Sequence, residues 1–70
     1  MKPLKQIGVN LKSLRKSVDE KQERLAKVLK ISQGKLSKVE RGESELSSTE
    51  LKRAANFFSR TMDYFFDGHI

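Results

Sequence analysis

The stretch QERLAKVLKISQGKLSKVERG, from Gln22 to Gly42, decides how this chain is read. Leu25, Ala26 and Leu29 fall on one side of a short helix, about Gln22 to Leu29. Ala26 is small and lets another helix come close. Lys30-Ile31-Ser32 makes a turn. Ser32 is a strong N-cap, because its hydroxyl accepts a backbone N–H left free at the start of the next helix. That next helix, about Gln33 to Arg41, carries only Leu36 and Val39 as large apolar side chains. Gln33, Gly34, Ser37, Lys38 and Arg41 give it a broad polar face. Gly42 ends it, since glycine takes the left-handed conformation at a helix end without strain.

Working outward, the same logic predicts helices on both sides. Leu4, Ile7, Leu11, Leu14 and Val18 recur at spacings of three and four, one stripe of a helix from about Pro3 to Val18. Its other face is basic and polar, with Lys5, Lys12, Ser13 and Lys16. Downstream, Ser47-Ser48-Thr49-Glu50 is a capping box, with Ser47 as N-cap and Glu50 reaching back. The helix it opens runs to about Phe58 and points Leu51, Ala54, Ala55 and Phe58 inward. Thr61 caps a last helix, Met62 to Phe66, with Asp63 in its first turn. No stretch alternates apolar and polar residues over a strand's length. The expected fold is all-α, a compact five-helix arrangement in one domain over residues 1–70.

Composition narrows the function classes. The chain has 70 residues, no cysteine and a net charge of +6. A chain this short buries only about 60% of the surface its unfolded form exposes. Disulfides and thiolate metal sites are excluded, which leaves helix packing and association with a second copy as means of support. The lone histidine, His69, has no second ligand of its kind, so no metal and no cofactor is expected. No apolar run is long enough to span a bilayer, and the first residues carry no secretory signal. The expected location is cytoplasmic. Charge is unevenly placed: residues 1–41 sum to +8 and residues 42–70 to −2. A basic half joined to a weakly acidic half suits a polyanionic partner, against the alternative of a merely solvated lysine-rich surface. No nucleophile lies beside a base and no glycine-rich phosphate loop is present, so enzyme activity is not expected.

Two short helices joined by a tight turn are what a major-groove reader needs, one bracing the other against the duplex. Ile7 to Arg15, Gln22-Glu23-Arg24-Leu25-Ala26, Ile31 to Gly42, and Leu51 resemble the lambda-repressor/Cro type of helix-turn-helix, the XRE family, over about residues 4–68. The resemblance implies double-stranded operator DNA as ligand and dimeric binding to a palindrome. It places Gln33, Gly34, Ser37 and Lys38 where the family reads bases. It makes Gln22, Ser32, Lys35 and Arg41 phosphate contacts, Gln22 also bracing the reading helix. Arg15 and Glu40 match a partly buried ion pair between the first and third helices. Plainer roles stand beside these: Gln33 as a polar residue of a first helical turn, Lys38 as a solvated lysine, Gly34 as a gap or a tolerated weak point. The chain differs from the family pattern at four places. Lys21 stands where a Ser or Thr cap is usual, Lys30 where a turn glycine is usual, Leu46 where a proline is frequent and Arg60 where an aliphatic residue is usual.

All five aromatics lie in the last fourteen residues. Phe58 and Phe65 fit inward positions. Phe57, Tyr64 and Phe66 exceed what one small core needs and are read as a homodimer interface. The expected function is sequence-specific regulation of transcription, by a repressor of phage or mobile-element type. The alternative is a helix-turn-helix protein-interaction module, of antitoxin or anti-repressor type, with little DNA binding of its own.

Overall fold

The computed structural model describes residues 3–66. Four α-helices run in chain order: α1 (Pro3–Ser17), α2 (Gln22–Leu29), α3 (Gln33–Glu40) and α4 (Ser48–Phe58). A 3₁₀ helix, Met62–Phe66, follows in place of the expected fifth α-helix. Five residues are too few to favour α geometry, and the Tyr64 N–H bonds the Thr61 carbonyl three residues back at 3.1 Å. No strand occurs among the described residues.

Local chemistry sets where each helix stops. α1 ends at Ser17 because Asp19 turns left-handed at φ 56°. The Glu20 N–H then closes on the Arg15 carbonyl at 2.9 Å. Val18, expected on the inward stripe, falls past the last helical residue and is 55% exposed. α2 is preceded by Lys21, which gives no side-chain cap, and followed by Lys30, left-handed at φ 60°. The Ile31 N–H reaches back to the Ala26 carbonyl at 3.0 Å, which satisfies the helix end. α3 starts under Ser32, whose Oγ accepts the Lys35 N–H at 3.0 Å. It stops one residue short of Arg41, and Gly42 takes φ 77°. The capping box of α4 forms as expected, with Ser47 Oγ accepting from Glu50 N at 3.1 Å and Glu50 Oε1 accepting from Ser47 N at 2.9 Å.

The core is Ile7, Leu11 and Leu14 of α1, Leu25, Ala26 and Leu29 of α2, Leu36 and Val39 of α3, Leu51, Ala54 and Ala55 of α4, and Phe65. α1 lies against α3 and the 3₁₀ helix, while α2 lies against α3 and α4. Phe58, expected inward, is only half buried; Phe65 takes the fully buried aromatic place. The side chains of Leu4 and Phe66, and His69, fall outside the described residues.

Two residues that the apolar pattern passes over fix the packing. A Cβ at Gly8 would overlap the Val39 carbonyl oxygen, so α1 and α3 touch backbone to backbone there. Asn10 is fully buried. Its Nδ2 donates to the carbonyls of Tyr64 and Phe65, at 3.1 and 3.0 Å, and its Oδ1 accepts from Gln6 Nε2 at 3.0 Å. Asn10 therefore ties the 3₁₀ helix to α1, and a buried amide this fully bonded costs little.

Candidate nucleic-acid interface

The outer face of α3 holds the residues expected to read bases. Gln33, Gly34 and Lys38 are exposed, and Ser37 is half buried. Nothing packs on Gly34, since a Cβ there would meet only Ser32 Oγ at 4.0 Å. The gap at Gly34 is thus a property of the surface and is not required by the core.

A polar chain runs from α1 to the first residue of α3. Arg15 grips Glu40 with two nitrogens, Nε to Oε2 at 2.7 Å and Nη2 to Oε1 at 3.1 Å. Its Nη1 also donates to the Glu20 carbonyl at 3.0 Å. The Glu40 side chain is only 3% exposed, so this bidentate pair satisfies a carboxylate shielded from water. Gln22 Nε2 donates to the same Glu40 Oε1 at 3.0 Å. Gln33 Nε2 in turn donates to Gln22 Oε1 at 3.4 Å, a long bond. Three helices thereby converge on Glu40, and the start of α3 is joined to the start of α2.

The flanking cations are already occupied. Lys35 Nζ sits 3.2 Å from Glu50 Oε1. Arg41 Nε sits 3.1 Å from Glu43 Oε2, and its Nη1 also bonds Ser37 Oγ. The Glu50 carboxyl is held below its ordinary pKa, first by the Ser47 backbone N–H and then by Lys35. Glu43 is held low by its hydrogen bond to Arg41 and by the charges of Arg41 and Lys38. Sequence reasoning gave Glu50 its capping role and missed its second partner. It also missed Arg53, whose Nη1 donates to the Leu29 carbonyl at 3.2 Å and so fastens α4 to the turn before α3. Twenty-four residues separate that pair, and no spacing rule reaches so far. Asn10 had a signal: it lies three residues after Ile7 and four before Leu14, on the flank of the stripe.

The expected interface aromatics are partly engaged within the chain. Phe57 and Phe58 meet edge-on at 5.0 Å, as do Tyr64 and Phe65 at 5.7 Å, and the Arg60 guanidinium lies 5.2 Å from the centre of the Tyr64 ring. Among the described residues no cluster of three or more acidic, histidine or cysteine side chains is placed to hold a metal. No described helix is long and apolar enough to cross a membrane.

The helix-turn-helix family profile matches residues 11–65. The chain belongs to the helix-turn-helix family, in its XRE-type branch. Among solved structures it is similar to the clp gene regulator ClgR from Corynebacterium glutamicum. The TM-score is 0.85 at 26% identity, over 93% of this chain and 69% of that one. A second structure of ClgR gives 0.81 at 26% identity, over 93% and 84% of the two chains. The restriction-modification controller protein C.AhdI from Aeromonas hydrophila shares the fold, with a TM-score of 0.79 at 24% identity over 89% and 94%. No curated protein matches the chain. Family and regulator-like fold together support a DNA-binding regulator and point away from an enzyme.

Proposed function

We propose that this helix-turn-helix chain is a sequence-specific regulator of transcription that lays α3 in the major groove of double-stranded DNA. The observation that carries the reading is the outward set Gln33, Gly34, Ser37 and Lys38 on a helix whose start is braced by Gln22. Gln33 suits the two-point edge of adenine, and Lys38 suits the acceptors of guanine. Gly34 leaves room for a thymine methyl or for close approach of the backbone. Gln22, Ser32, Lys35 and Arg41 face phosphates and set the register, which base contacts then exploit. The ClgR description, that of a gene regulator, supports the same class.

A second copy joins through Phe57, Tyr64 and Phe66, so that two α3 helices address a palindromic operator. The finer reading is a repressor of phage or mobile-element type. The rival reading is a protein-interaction module that keeps the fold without the DNA site. The face of α3 argues against it, because it is polar and cationic where such a module would offer acidic or apolar side chains.

A salt titration of duplex binding separates the two. Log affinity should fall linearly with log salt, with a slope near −0.9 for each phosphate neutralised. Absence of binding to any duplex at low salt would overturn the DNA reading in favour of the interaction module.

A further inference from the structure

We propose that Glu50 and Glu43 are specificity-determining residues: each holds a cation in or just after α3, Lys35 and Arg41 respectively, off DNA phosphates until a duplex fits the reading face. The inference rests on the DNA-binding reading above.

Both cations assigned to phosphate are paired in the free protein, and each partner lies outside α3. Glu50 comes from the first turn of α4 and Glu43 from the loop after α3. Glu50 cannot swing aside freely, because the Ser47 N–H also anchors its carboxylate. The side chains of Lys35 and Glu50 are 39% and 17% exposed, and those of Arg41 and Glu43 are 52% and 56% exposed. The Arg41–Glu43 pair is open to water and exchangeable, and in the Lys35–Glu50 pair the lysine is the more exposed member and can leave its partner. A phosphate held at a fixed place can therefore displace either carboxylate.

That condition separates fitting from non-fitting DNA. When Gln33 and Lys38 find their bases, α3 is fixed in register and phosphates stand against Lys35 and Arg41. On other sequences no register is fixed, and each cation keeps its carboxylate. Binding without base contacts is carried almost wholly by phosphate neutralisation. Two cations withheld therefore weaken non-specific binding most, and the ratio of specific to non-specific affinity rises.

The test is a salt titration on a random-sequence duplex and on a selected one. Glu50→Gln keeps the cap, because glutamine serves the same capping position. It should steepen the non-specific slope by about 0.9 and tighten non-specific binding by roughly fivefold to tenfold near 0.1 M salt. Affinity for the selected duplex should change less. In a Lys35→Ala background the same substitution should leave the slope unchanged. Glu43→Gln should behave likewise through Arg41. Glu45→Gln, an exposed acid in the same loop, makes an identical charge change and should leave the slope alone. Circular dichroism melts establish that each variant is folded. An unchanged slope in Glu50→Gln and Glu43→Gln overturns the inference while leaving the DNA reading intact. So does an equal effect from Glu45→Gln, or one that persists without Lys35. Failure of the wild type and all variants to bind any duplex removes the DNA reading and the inference together.

Discussion

Lys30 holds its backbone left-handed at φ 60°, where a side chain crowds the following carbonyl. Its amide is used at the end of α2, so the strain is retained by the turn that aims α3. Lys30→Gly should raise stability by about 1 kcal/mol, read as a higher urea midpoint at unchanged slope. The sequence already showed this weakness, since a lysine stands where such turns want glycine. Arg15 has the opposite character. Its guanidinium is what makes a nearly buried Glu40 tolerable, with Gln22 as the remaining donor. Arg15→Ala should cost about 3–5 kcal/mol, because it leaves a shielded carboxylate without its counter-charge. A loss under about 1 kcal/mol in chemical denaturation would show that water reaches Glu40 and replaces the pair.

Between elements, the closest approach is α1 on α3 at Gly8. Gly8→Ala puts a methyl against backbone, which has no rotamer to escape into, so α1 must slide. The expected loss is about 1–3 kcal/mol, even though alanine favours the helix itself. A stability gain in thermal melts would mean that the two backbones stand further apart. Much of the element layout was legible in the chain. Leu25, Ala26 and Leu29 predicted α2 with both ends correct, and Ser47 with Glu50 predicted the start of α4. What escaped depends on tertiary distance or on length. Gly8 touches backbone 31 residues away, and Asn10, though its place beside the stripe could be read, bonds carbonyls 54 and 55 residues away that periodicity does not name. The Thr61 segment carried helix-start signals, yet five residues settled into 3₁₀ geometry. Val18 matched the stripe but lies beyond the left-turning end of α1.

Over the whole molecule, charge links stability to pH through two acids on the edge of the reading face. Glu50 and Glu43 both have pKa values lowered by folding. A lowered carboxylate stabilises the folded state fully above its unfolded value of 4.5, and that contribution is lost as pH falls through the lower folded value. Thermal midpoints should therefore drop with acid below about pH 4.5, and Glu50→Gln should show a shallower drop; an equally steep one would assign the acid limb to other groups. The sequence proposed the members of the candidate site and left its wiring illegible. The family resemblance pointed to Gln33, Lys38, Lys35 and Arg41, whereas the carboxylates that hold the last two became visible only in three dimensions. The measurement closest to the central claim is selection of duplexes from a random pool by the wild type and by Lys38→Ala. The account predicts a palindromic motif for the wild type, and for Lys38→Ala the same motif with one position per half-site relaxed. Recovery of no motif, or of an identical motif with Lys38 replaced, would contradict base reading by α3 through Lys38.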